Sequence, residues 1–103
     1  MSIDQLIAQV RQSTDHQRNR RRLREQAQAD LLVTHGEGLF RATPELIAFL
    51  ATWEQDELYL EDEYQNPVRC DRPVLLQRCR EQHQRVINRW HTQHEQLSRV
   101  RKI

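Results

Sequence analysis

Cys70, Cys79 and His83 come closest to metal-ligand chemistry in this chain. Thiolate and imidazole ligands hold zinc, and Cys79 and His83 sit four residues apart, one helical turn. A closed site needs a fourth ligand and usually a CxxC pairing, and neither is present. His91 and His94 lie a helical turn or more beyond His83 and would need ligands from another chain. A cysteine nucleophile needs a base and a third group to orient that base, and no such group is indicated. Glu61-Asp62-Glu63 invites a divalent cation, but the calcium-loop pattern requires a central glycine and ligands at fixed alternating positions. Two glycines in 103 residues build no phosphate-cradling loop, which argues against dinucleotide enzymes and P-loop NTPases. No catalytic, metal or cofactor-binding residue is therefore assigned, and the expectation is a protein that is not an enzyme.

The basic residues are more informative. Fifteen of the sixteen are arginine, whose planar guanidinium pairs bidentately with carboxylate or phosphate. Arg codons favoured by a GC-rich genome would give the same bias. Arg11, Arg18, Arg20, Arg21, Arg22 and Arg24 stand against Asp15 alone, giving residues 11–24 a balance of +5. These six are candidate polyanion contacts, since a basic helix can track phosphates. No zinc-finger spacing, helix-turn-helix or following zipper accompanies them. Residues 45–63 hold seven acidic residues and no basic one, and residues 69–102 hold nine basic against three acidic. The net charge of +1 is thus a cancellation between segregated segments, which favours contacts between this chain and a second copy or a protein partner. Nucleic acid is the alternative partner.

The elements that must position these groups are mostly helical. Ser2 and Gln5 form a capping box, and the spacing predicts a helix from there to about Val33. Ile3, Leu6, Ile7 and Val10 share one face, and the stripe then fades through Ser13, Gln17, Arg20 and Arg24 before resuming at Ala27 and Leu31. HGEGL, residues 35–39, reads as a loop. Thr43-Pro44-Glu45 opens a short helix with an N-cap and a proline in its first position. Its Leu46, Ile47, Leu50 and Trp53 are expected to make the local core. ELYLE, residues 57–61, alternates as a strand does, and Val68-Arg69-Cys70 can return after the Tyr64-Gln65-Asn66-Pro67 turn. Such a hairpin needs a covering helix.

Asp71 caps a last helix reaching near Ile103. A heptad count puts Leu76, His83, Trp90 and Leu97 at one seam position and Cys79, Val86, Gln93 and Val100 at the other. The expected fold is mainly α: two long helices flanking a compact middle with one short helix and a small β-hairpin. The expected divisions are 1–34 (basic), 35–70 (acidic) and 71–103.

No apolar run approaches the roughly 20 residues that span a bilayer. MSIDQLIAQVRQS lacks the pattern of a secretory signal, and two cysteines make no disulfide framework, so a cytoplasmic location and no membrane partner are expected. At 37% hydrophobic residues the chain has little with which to build a self-sufficient core. Trp90, Val86, Leu97, Trp53, Leu6 and Val10 are the candidate interaction residues, Trp53 from the local core and the others in helix–helix contacts within a homo-oligomer or larger assembly. The segments TPELIAFL, ELYLEDEYQNPV and NRWH resemble small proteins encoded by large tailed phages, over roughly Leu39 to the end. That resemblance implies a virion or assembly role, in the virion or the host cytoplasm.

Overall fold

The computed structural model describes residues 2–101, with side chains through Arg99. The chain folds as α1 (Ile3–Asp30), β1 (Leu32–His35), β2 (Gly38–Arg41), α2 (Pro44–Thr52), β3 (Glu57–Glu61), β4 (Pro67–Asp71) and α3 (Arg72–Arg101). The fold is mainly helical, with two long helices flanking a short one and two small antiparallel strand pairs. The molecule is a rod of 65 × 24 × 19 Å with a radius of gyration of 19.4 Å, against roughly 13 Å for a compact domain of this length.

Local signals set most boundaries. Ser2 Oγ accepts from the Gln5 N–H (3.2 Å) while Gln5 Oε1 accepts from the Ser2 N–H (3.2 Å), closing the capping box of α1. Thr43 Oγ1 accepts from the Leu46 N–H at the start of α2 (3.1 Å), and Asp71 Oδ1 accepts from the Val74 N–H at the start of α3 (3.3 Å). The seam expected along α3 is its inward face: Leu76, Cys79 and Val86 are buried and His83, Trp90, Gln93 and Leu97 half-buried. The Val100 side chain and Ile103 lie outside the described residues.

Three expectations are corrected. The first helix stops at Asp30, three residues short, because Leu32-Val33-Thr34 is taken into a strand. Residues 35–39 are no loop but the turn and start of a hairpin in register Leu32↔Arg41 to His35↔Gly38. Gly36, at φ +58°, is the first central residue of its two-residue turn, the position where a type II′ turn requires glycine. A Cβ on Gly38 would sit 2.8 Å from the Phe40 ring and 3.0 Å from Val68, so glycine there lets the first hairpin lie on the second. Trp53 is not core. It is the C-cap of α2 in extended conformation, 40% exposed, stacked on an equally open Phe49 at 5.4 Å.

The core sits at one end of the rod. Leu31 at the C-cap of α1, Val33 and Phe40 of the first hairpin, Leu50 of α2, Leu58, Val68 and Cys70 of the second hairpin, and Leu75, Leu76, Cys79 and Val86 of α3 form one buried cluster. Leu58↔Cys70 and Leu60↔Val68 are cross-strand pairs on the covered face of the second hairpin. This end is termed the head. Beyond it, α1 and α3 run antiparallel as a stalk: Gln82 Nε2 donates to Asp30 O (2.6 Å) and Arg89 pairs with Asp30 (3.1 Å).

Candidate interaction surfaces

Two polar clamps hold the head together. Asp62, buried in the β3–β4 loop, accepts at Oδ1 from the Tyr64 and Asn66 N–H groups (both 3.0 Å) and at Oδ2 from the Leu39 N–H (3.2 Å). The Asn66 N–H, joined by those of Leu39 and Tyr64, holds this carboxyl below its ordinary value of 3.8 although burial opposes the shift. Asp62 therefore ties the second hairpin's loop to the first hairpin. Arg72 donates to Leu50 O (3.1 Å) and Gln55 O (2.9 Å) and pairs with Asp56 (3.5 Å), fixing the end of α2 to the start of α3. Neither residue belongs to an open site.

The thiols are equally structural. Cys70 and Cys79 are buried and free. Burial pushes the Cys79 thiol up to about 11 and raises that of Cys70, the reverse of what a zinc thiolate or a nucleophile needs. Among the described residues no three His, Cys, Asp or Glu side chains converge as a metal site.

Three surfaces remain open. The first is the leading end of α1. The α1–α3 register places Asp30 beside Gln82 and Arg89, and Gln17, Arg20 and Arg24 beside Trp90 and His94. Ile3, Leu6, Ile7 and Val10 lie beyond the reach of the described α3 side chains and are 76%, 52%, 44% and 58% exposed. These four hold i, i+3, i+4 and i+7 positions, a ridge on one side of a helix. Of the candidate interaction residues, Leu6 and Val10 lie here, whereas Val86 is buried and Trp90 and Leu97 are half-buried in the stalk seam.

The second is a groove of about 280 Å³ along the stalk, lined by Gln17, Arg20, Arg21, Arg24, Trp90 and His94. It continues along Arg21 and Arg24 to Arg41, which is paired with Glu63 at 3.5 Å. Among the described residues Arg20, Arg21 and Arg24 have no carboxylate partner, whereas Arg41, Arg69, Arg72 and Arg89 each have one. Of the other candidate polyanion contacts, Arg18 meets Asp15 loosely at 4.0 Å, and Arg11 and Arg22 are exposed away from the groove.

The third surface lies on the head. Phe49, Trp53, Leu58 and Tyr59 line a concavity of about 580 Å³, with the Arg69–Glu57 pair (2.6 Å) on its wall. Trp53, expected both in the local core and among the candidate interaction residues, lies on this open surface, and Phe49 and Tyr59 join it without having been singled out by the sequence. Tyr59 alternates outward between inward Leu58 and Leu60, and that was the available signal.

The chain matches no family model, no curated protein and no solved structure. No helix among the described residues is long and apolar enough to cross a membrane.

Proposed function

We propose that the protein is a non-enzymatic structural or assembly component that works by protein–protein contact. The observation that carries this reading is the ridge of Ile3, Leu6, Ile7 and Val10 on the end of α1. Four aliphatic side chains at i, i+3, i+4 and i+7 are the anchor pattern by which a helix seats in an apolar groove. In the setting suggested by the sequence resemblance, the complex is a phage virion or its assembly intermediate, and the protein resides in the virion or the host cytoplasm. Sedimentation over a concentration series tests the reading. Association that Leu6→Asp abolishes is expected; a wild-type chain that stays monomeric throughout, with no partner that Leu6→Asp releases, overturns it.

A second reading rests on the three unpaired arginines beside Trp90. Guanidinium groups that track phosphates next to an aromatic ring that stacks a base are the parts of a single-strand binding groove. Titration with a single-stranded oligonucleotide at two salt concentrations tests it. Binding that weakens with salt and is lost in Arg20→Glu/Arg24→Glu is expected, and no binding at low salt removes it.

A further inference from the structure

The ridge on α1 is an exposed row of aliphatic side chains and the concavity on the head is lined by Phe49, Trp53, Leu58 and Tyr59, yet the two cannot meet within one chain. From Leu6 to Asp30 along α1 is roughly 36 Å at 1.5 Å per residue, and from Gln82 back to Arg72 along α3 a further 15 Å or so. Both spans are continuous helix, so the ridge stands about 50 Å from Phe49, Trp53 and Tyr59. One molecule therefore carries a convex apolar ridge at one tip and a concave aromatic groove at the other.

Resting on the assembly reading above, we infer that the occupant of the head groove is the α1 tip of a second copy, so that the chain associates head to tail. Charge supports this pairing over the symmetric one. By position along the rod, residues 27–86 carry eleven acidic and six basic side chains, a balance of −5. Residues 3–26 and 87–101 carry nine basic against four acidic, a balance of +5. A tip-to-tip pair would bring two positive stalks together and leave both head grooves empty. A tip seated in a head instead sets Arg11 and the arginines behind it beside the negative half of the rod, where Glu57 stands on the groove wall and Glu54 follows Trp53 in the chain. The contact joins two different surfaces, so a pair still has one free groove, on the copy whose tip is seated, and one free tip, on the copy whose groove is filled. Such heterologous contacts propagate into a ring or an open filament. A two-turn ridge is a small contact, so the association is concentration-dependent and weakens with salt.

Complementation between two variants distinguishes the arrangements. Leu6→Asp/Val10→Asp disables the tip and leaves the groove. Tyr59→Asp disables the groove and leaves the tip; Tyr59 is 73% exposed, so the fold tolerates the change, and thermal melts of both variants check that. Head-to-tail association predicts that the wild type forms species larger than dimers from micromolar to near-millimolar concentration. Each variant alone is then monomeric, and an equimolar mixture forms a dimer and nothing larger. If Tyr59→Asp associates as the wild type does while the tip variant does not, the tip docks elsewhere: the head-to-tail inference fails and the assembly reading survives. If the wild type itself stays monomeric and no partner responds to the tip variant, both fail.

Discussion

Leu50→Ala and Leu6→Ala should have opposite consequences, because one leucine is in the core and the other on the ridge. Leu50 is 0% exposed, and Arg72 anchors its carbonyl to the start of α3. Deleting three heavy atoms there loses transfer free energy and leaves a cavity, which costs about 2–5 kcal/mol. For a domain of about 100 residues each kcal/mol lowers the melting temperature by roughly 4–8 °C, so a mid-range loss of about 3 kcal/mol lowers it by roughly 12–24 °C. Leu6 is 52% exposed with no core contact, and alanine is at least as good a helix former, so its truncation stays within about 0.5 kcal/mol. Far-UV circular dichroism melts at micromolar concentration measure both. Leu50→Ala should melt far below the wild type at every concentration. Leu6→Ala should match the wild type when dilute and lose only the extra stability that association gives at high concentration. A Leu6→Ala melt as low as that of Leu50→Ala in dilute solution would refute the reasoning, since the ridge would then be buried within one chain.

Two further outcomes follow from the head's polar groups. Asp62 has a lower pKa folded than unfolded, so the unfolded chain binds the extra proton as acid is added. Its stabilisation is complete above about pH 4 and is lost as pH falls through the folded-state value; Asp62→Asn should melt lower at neutral pH and lose that part of the acid dependence, and an unchanged acid limb would count against the assignment. With its pKa near 11, Cys79 is about one part in a thousand thiolate at pH 8, and both thiols are enclosed. A thiol reagent should therefore label Cys70 and Cys79 only at the rate of unfolding, whereas rapid labelling of the native protein would contradict their burial.

The legible parts of this fold are those written in short-range signals. Ser2–Gln5, Thr43-Pro44 and Asp71 cap helices through bonds three residues long, so each can be read from the sequence at hand. The α3 seam is also legible, because a heptad needs only one helix to define it. What escaped depends on register between elements. Leu31-Leu32-Val33 continues the apolar stripe of α1, and only its pairing with Phe40 and Arg41 makes part of it a strand. Trp53 falls on the core face by helical count, yet the helix ends at Thr52 and the extended backbone at Trp53 turns it off that face. In the sequence Asp62 is one of three consecutive acidic residues, between Glu61 and Glu63. Its turn partner Asn66, four residues on, hinted at its role, while the bond to Leu39 spans 23 residues and no local pattern contains it.

The same distinction explains why Ile3–Val10 reads as a helix-packing stripe and yet packs on nothing among the described residues. Periodicity gives the face of α1 but not how far α3 reaches along it. Asp30 is spent against Gln82 and Arg89, so the described α3 side chains, which run through Arg99, are used up before Val10 is reached. Among the described residues the tip has only its capping box and the continuity of α1 to keep it helical, and an isolated stretch of that length is marginal in water. Seating the ridge in a groove supplies the tertiary contact that the rest of the helix gets from α3. Docking and ordering of the tip are therefore one equilibrium: a partner that binds the ridge must also slow amide exchange across residues 3–12, and a contact made anywhere else on the rod leaves those amides as they were.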